Sequence, residues 1–262
     1  FRPVEAMSAQ VRKIGEGDLR QDILTEGKGE LGMLAVGINR MSGQIKAMLE
    51  SKSALLLAIS HELRSPITRM RVNLELLEES DIQQKLIDDI REMETLIASI
   101  LESEKLNTSH APLMLSRCEM LGLVEEVVKA HPGRNRIRST LSPVELEVDR
   151  LRMKLLIKNL IDNACHYSIE DQGEVEISLS HDQESVNIEV RDRGVGIKTE
   201  DISRVTEPFY RPDSSRQRDT GGYGLGLYLC KLIVEAHGGQ ILIESEPGNG
   251  TKVIVKLPLD NS

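Results

Sequence analysis

The chain has 262 residues, room for two compact units at about 150 residues per domain, or for one unit plus an elongated segment. Hydrophobic residues make up 39% and another 20 residues are Gly, which together fall in the globular range and exclude wholesale disorder. Thirty-three basic against 42 acidic residues give a net charge of −9, and aromatics are only 2%, which excludes a surface that neutralises a nucleic-acid backbone or stacks bases on aromatic platforms; no nucleic-acid partner is expected.

Cys118, Cys165 and Cys230 are odd in number and form no C-x-x-C, so the sequence predicts neither a disulfide framework nor a zinc site, and a reducing compartment. No apolar run approaches the roughly 18 residues of a membrane span, and the chain as given reads as soluble. Opening at Phe1-Arg2-Pro3 without an initiator Met, it reads as the cytoplasmic part of something longer.

From residue 4 to about 106 the chain is rich in Leu, Ile, Met, Glu, Lys and Arg, with apolar positions at helical spacing. Gly15-Glu16-Gly17-Asp18 and Gly27-Lys28-Gly29 separate a short first helix from a second that starts near Glu30. The second carries Leu31, Leu34, Ile38, Met41 and Ile45, and its pattern continues through Leu55, Ile59, Leu63, Ile67, Met70 and Leu77. Ser80-Asp81 supplies a turn and an N-cap, and a return helix follows with Leu86, Ile90, Met93, Ile97, Ile100 and Leu101 on one stripe. A lone helical hairpin leaves that stripe in water, whereas two hairpins paired as a four-helix bundle bury it, so the pattern predicts a homodimer. Packing of the stripe on the C-terminal domain is the alternative.

After residues 107–112 the composition changes to short strands and helices. Strands are expected at 112–116, 136–141, 144–148, 174–179, 186–191, 240–244 and 252–257, and helices at 120–130, 150–166 and 224–236. Strands pairing through short turns with helices on one face make an α+β two-layer sandwich.

Four clusters carry chemistry. In Ile59-Ser60-His61-Glu62-Leu63-Arg64-Ser65-Pro66, Pro66 withholds an amide proton from the carbonyl of Glu62 and is expected to bend the helix one turn after His61. Helical spacing sets Arg64 and Ser65 beside His61 and turns Leu63 and Ile67 inward, leaving His61 facing water. A neutral imidazole keeps one ring nitrogen free as a nucleophile, and Glu62 is the nearest carboxylate, though adjacent helix residues point apart. Taken alone, an exposed His before a Pro is more often an ordinary surface residue. Asn159, Asn163 and His166, at i, i+4 and i+7, make one polar stripe; carboxamide oxygens suit Mg²⁺, although the stripe reads equally as a solvated face. Asp192-Arg193-Gly194-Val195-Gly196 closes a strand with a carboxylate able to accept the exocyclic amine of adenine, or is a structural turn. Gly221-Gly222-Tyr223-Gly224-Leu225-Gly226 opens a helix whose N-terminal amides suit a phosphate, or is a hinge, and residues 207–216 before it have the composition of a mobile lid with Arg211 and Arg216 available to phosphates.

In this order the clusters resemble the sensor histidine kinases of two-component systems, with an ATP-binding domain similar to that of gyrase and Hsp90-type ATPases. His61 to Pro66 looks like the phospho-acceptor box, Asn159 to Tyr167 the asparagine box, Asp192 to Gly196 and Gly222 to Gly226 the two glycine boxes, and Glu207 to Tyr210 the phenylalanine box. Residues 1–48, with Gly15-Glu16-Gly17-Asp18-Leu19 and Asn39-Arg40-Met41, resemble a HAMP signal-relay module, which usually follows a transmembrane helix.

The resemblance implies three domains: HAMP-like over 1–48, a dimerisation and phosphotransfer hairpin over 49–110, and a catalytic ATP-binding domain over 111–262. It implies that His61 accepts the γ-phosphoryl group of ATP with Glu62 as orienting base, and that a response regulator receives the group on an aspartate. Asn163 then ligates Mg²⁺, Asn159 supports the ion or the phosphates, Tyr167 packs near adenine and Asp192 holds its amine, with Gly194, Gly196, Gly222, Gly224, Leu225 and Gly226 shaping the site. The chain becomes the cytoplasmic portion of a bacterial inner-membrane protein. Two positions depart from the pattern: His166 stands where relatives often have Lys or Arg, and Ser65 where relatives that also dephosphorylate their partner commonly have Thr. A phosphatase-dominant member and a catalytically silent ATP-binding scaffold are the alternatives.

Overall fold

The computed structural model describes residues 7–9, 11, 12, 23, 29–77, 80–107, 113–168, 174–212 and 223–259. The short first helix expected before Gly15, together with Arg216 and Gly222, falls largely or wholly outside them. Contacts divide the chain into two units, Phe1–Ser65 and Pro66–Ser262.

In the first unit, residues 7–9, 11 and 12 are helical, and Met7 and Ala35 are buried. The Asn39 carboxamide grips the backbone of Ile23 at both ends: Ile23 N–H donates to Oδ1 and Nδ2 donates to the Ile23 carbonyl, both at 2.9 Å. One side chain thereby satisfies two backbone groups that no helix or strand provides for. Helix α1 spans Glu30–Glu75 and begins in this unit, with Pro66 inside it. No helix among the described residues is long and apolar enough to cross a membrane.

The second unit holds the end of α1, helix α2 (Asp81–Asn107) and the α+β half of the chain. The turn between the helices is closed by a reciprocal cap. Gln83 N–H donates to Ser80 Oγ at 3.1 Å while Ser80 N–H donates to Gln83 Oε1 at 3.3 Å. Gln83 Nε2 then donates to the Leu74 and Leu77 carbonyls, so one residue satisfies the end of α1 and the start of α2.

Strand β1 (Leu115–Glu119) leads into α3 (Met120–Ala130), β2 (Ile137–Leu141), β3 (Glu145–Asp149) and α4 (Arg150–Tyr167). Then come β4 (Val175–His181), β5 (Ser185–Arg191), the short α5 (Thr199–Ile202), α6 (Gly226–Ala236), β6 (Gln240–Glu246) and β7 (Gly250–Pro258). Apart from α5, which the sequence reading did not anticipate, these helices and strands match the expected ones to within three residues at each boundary. The pairing differs in one respect. β4 with β5 and β6 with β7 are antiparallel neighbours, but β2 and β3, only three residues apart, do not pair. β3 pairs antiparallel with β1, and β2 runs parallel to β4 at the edge of a five-stranded sheet of order β2-β4-β5-β7-β6. The reason lies in β3: Leu146, Val148 and Asp149 are buried, and the strand must deliver Asp149 to the start of α4.

The sheet alternates as a half-buried sheet should. Ile177, Ile188, Val190 and Val255 point inward, while Glu176, Ser178, Glu189 and Lys252 occupy alternate positions. Leu123 of α3, Leu156, Ile157 and Leu160 of α4, and Leu229 and Ile233 of α6 complete one aliphatic core, each full burial contributing about 1.5–3 kcal/mol. This is the α+β two-layer sandwich. The three cysteines are free thiols, and burial pushes those of Cys165 and Cys230 up.

Asp149 begins α4 as its N-cap, its Oδ1 accepting the N–H groups of Leu151 and Arg152 at 3.2 Å. Its Oδ2 accepts Met114 N–H at 3.1 Å, and its own N–H donates to His237 Nε2 at 3.0 Å. His237 Nδ1 donates to the Ile233 carbonyl at 2.7 Å, so Nε2 must stay unprotonated. Burial holds this imidazole below its ordinary value, with the Arg152 charge acting the same way against the raising effects of the Ile233 carbonyl and Asp149. A base whose folded pKa is depressed stabilises the fold fully above its unfolded value of about 6.5, and that stability is lost as pH falls through the folded value. The thermal midpoint is therefore expected to fall between pH 7 and 5, and His237→Gln to flatten that slope in a calorimetric pH series. An unchanged slope places the acid sensitivity elsewhere.

Candidate functional site

His61, Glu62, Arg64 and Ser65 are all exposed on α1, while Ile67 is 1% exposed. The imidazole faces water as expected, and among the described residues no hydrogen bond joins it to Glu62, in keeping with their adjacent positions on a helix. Leu63, expected to point inward, is exposed, as are Leu55, Ile59 and Met70 of the same apolar pattern.

The second unit contains a cavity of about 430 Å³. Asn159, Asn163, His166 and Tyr167 reach it from α4, Asp192 and Gly196 from the end of β5, Arg211 from the segment after α5, and Gly224, Leu225 and Gly226 from the start of α6. Of the residues the sequence singles out for nucleotide binding, Gly194 packs behind this wall: a Cβ there would lie 2.1 Å from the Tyr167 carbonyl oxygen, and Gly194 bridges to Ser168.

Asp192 is 6% exposed. Its Oδ1 accepts Gly194 N–H at 2.8 Å and Thr251 N–H at 3.2 Å, which fixes the carboxylate in the turn. Burial raises its pKa and these two hydrogen bonds lower it. The Asn159 Nδ2 donates to the Leu155 carbonyl at 2.9 Å, committing its donor to the helix and leaving its oxygen toward Gly226. A Cβ on Gly226 would stand 3.4 Å from both Asn159 Oδ1 and Asn163 Nδ2, so α6 begins within van der Waals reach of the carboxamides. Gly224, at φ +71°, has the Tyr210 carbonyl 2.6 Å from the position a Cβ would take, and its own carbonyl accepts Phe209 N–H at 3.0 Å.

α6 begins at Gly226, its N-cap Leu225 provides no side-chain cap, and Leu225, Gly226 and Leu227 line the cavity, so the first amides of the helix are available to an anion. His166 meets Tyr167 edge to face at 4.7 Å, and its imidazole is held below the ordinary value by burial and then by the Arg211 guanidinium. Tyr210 donates to Asp201 and carries the Arg204 guanidinium 4.2 Å above its ring, anchoring the chain between α5 and α6.

Several cavity residues escape a reading of motifs. Val190, Val195, Ile197, Val205 and Val253 supply an apolar lining; Val190 and Val253 are marked by strand alternation in β5 and β7, while Val195, Ile197 and Val205 sit in connecting segments. Glu92, Thr95, Leu96 and Ser99 of α2 supply one wall, with a helical i, i+3, i+4, i+7 spacing as the signal.

The chain matches the family descriptions HAMP domain over residues 1–47, His Kinase A (phospho-acceptor) domain over 51–109, and Histidine kinase-, DNA gyrase B-, and HSP90-like ATPase over 148–261. Signal transduction histidine-protein kinase BaeS of Escherichia coli (strain K12) is 28% identical over 274 residues, covering 98% of this chain and 58% of that protein. Sensor protein RstB of the same strain is 31% identical over 260 residues, covering 97% and 59%, and sensor histidine kinase GtrS of Pseudomonas aeruginosa is 30% identical over 259, covering 98% and 52%. The chain thus spans between 52% and 59% of the length of these three relatives. Full-length ShkA in complex with AMPPNP superposes with a TM-score of 0.63 at 24% identity, covering 78% of this chain and 45% of that one. Acinetobacter baumannii histidine kinase AdeS superposes at 0.57 and 23%, covering 77% and 98%. At those identities the two structures speak for the fold. Three family matches in one order, on a fold whose cavity gathers the asparagine stripe, Asp192 and an uncapped helix, make the chain a member of the sensor histidine kinase family of two-component systems.

Proposed function

We propose that the chain is an ATP-dependent protein-histidine kinase that phosphorylates itself on His61 and passes the group to an aspartate of a response regulator. The observation that carries this reading is the pairing of a water-facing imidazole inside a phospho-acceptor match with a cavity built from the ATPase match. Asp192 takes the adenine amine on its remaining carboxylate oxygen, Tyr167 packs near the ring, and the α6 amides, Gly222, Gly224 and Arg211, with Arg216, take the phosphates.

The donor set fits a hard cation: carboxamide oxygens of Asn159 and Asn163 beside the anion site, and no group of His, Cys, Asp and Glu able to hold a metal among the described residues. Asn163 would hold Mg²⁺, which when bound neutralises phosphate charge. The His61 Nε2 or Nδ1 lone pair attacks the γ-phosphorus in line, the bond to the β–γ bridging oxygen breaks, and ADP leaves; Glu62 orients the ring by accepting its N–H. Alignment supplies most of the acceleration in such transfers.

A homodimer is part of this reading. Leu55, Ile59, Leu63 and Met70 of α1 and Leu86 and Met93 of α2 are exposed in the single chain, and a second hairpin is the surface that covers them in a four-helix bundle. The HAMP match supports a membrane-anchored sensor, with transmembrane and sensing segments as upstream partners and this chain on the cytoplasmic side. Incubation with γ-labelled ATP and Mg²⁺ tests the whole: the expected product is a protein-bound label that survives alkali and is released by mild acid, as a P–N bond requires. An acid-stable label, or none, overturns it.

A further inference from the structure

Helix α2 does more than pair with α1. Glu92, Thr95, Leu96 and Ser99 line the nucleotide cavity. Further along α2, Glu102 accepts Arg152 Nε at 3.0 Å, Leu106 packs on the α+β core, and Asn107 Nδ2 donates to the Tyr228 hydroxyl of α6 at 2.7 Å. Side chains of Arg152 and Glu102 are only 11% and 21% exposed, so this pair is shielded from salt far better than a surface bridge. These three contacts hold the C-terminal half of α2 against the α+β half, beside the cavity lined by Glu92 to Ser99.

Three carboxylates line the cavity, and two of them are occupied. Asp162 accepts His131 Nε2–H at 3.0 Å and Lys158 Nζ, and Asp192 accepts its two backbone amides. Glu92 has no cationic partner among the described residues. Its charge is felt across the rim: the Tyr223 phenol is pushed up first by burial, then by the carboxylates of Glu92 and Asp89.

We infer that α2 docks on the ATP-binding half as a negatively charged wall whose Glu92 weakens the binding of nucleotide phosphates, so that the docked hairpin lowers the chain's affinity for ATP. The inference rests on the cavity being the ATP site. A triphosphate entering beside an unpaired carboxylate meets repulsion that adenosine does not, and salt screens that repulsion.

The test is titration calorimetry on the full chain with Mg²⁺-ATP and with adenosine, at low and physiological salt. Glu92→Gln is expected to tighten Mg²⁺-ATP by about threefold to tenfold at low salt, less at physiological salt, and to leave adenosine within about 1.5-fold. Glu94→Gln removes the same charge from a residue paired with Arg71 and is expected to change neither. Asn107→Ala/Glu102→Gln, which loosens the docked face, is expected to tighten Mg²⁺-ATP to a similar extent, and adding Glu92→Gln to it to give little more. Unchanged Mg²⁺-ATP affinity in Glu92→Gln, or equal tightening of adenosine, or equal tightening by Glu94→Gln, overturns the inference while the ATP site stands. No nucleotide binding by any of the proteins overturns the ATP site itself, and the inference with it.

Discussion

Replacing His61 with Gln is expected to reduce incorporation of the γ-phosphoryl label by about 10³-fold or more, as removal of a covalent nucleophile does. His61 is exposed on a long helix and its side chain makes no hydrogen bond among the described residues, so Gln, a good helix former, costs little stability, within about 0.5 kcal/mol. The carboxamide nitrogen has no basic lone pair to attack phosphorus, which is why the loss is chemical and not structural. Nucleotide affinity, measured in parallel, is expected to stay within about twofold, because every residue of the cavity lies elsewhere in the chain. Label retained by the variant at the original level identifies another acceptor and removes His61 from the mechanism.

Asp192→Asn separates nucleotide recognition from folding. Asn presents the same Oδ1 acceptor to the Gly194 and Thr251 amides, so the turn and the β5–β7 pairing persist. The second oxygen becomes an NH₂ that opposes the adenine amine, donor against donor, inside a residue that is 6% exposed. Losing a charged hydrogen bond of about 1.5–3 kcal/mol and leaving a buried donor unmet lowers ATP affinity by about 10²-fold. Equilibrium binding reads the loss, and the thermal midpoint, within a few degrees of the parent, reads the fold. Full ATP affinity in the variant means adenine does not meet this carboxylate.

Periodicity and turn chemistry made most elements legible. Helix α3 is placed at Met120–Ala130 by its apolar stripe, and α4 starts at Arg150 because Asp149 caps it. The reciprocal cap at Ser80 and Gln83 is written in the spacing S-x-x-Q, although only its Ser80 end was legible as a cap without the partner bonds of Gln83. What stayed hidden depends on contacts remote in sequence. Alternation marks β2 and β3 as strands but carries no record of which partner each takes, so their separation into two sheets is invisible along the chain. The apolar stripe of α2 likewise shows that a face is covered, not by what. Glu92 and Leu96 border the cavity through a face whose neighbour sits more than 50 residues away, and a charged residue at such a rim looks like any solvated glutamate.

The carboxylate of Asp149 has a mechanical meaning. It clasps the amide of Met114, at the point where the chain leaves the helical hairpin, and the first turn of α4, whose far end bears the asparagine stripe. One side chain therefore ties Met114 directly to the first turn of a helix of 18 residues. A displacement of Met114 is therefore expected to be shared with the helix that carries Asn159 and Asn163.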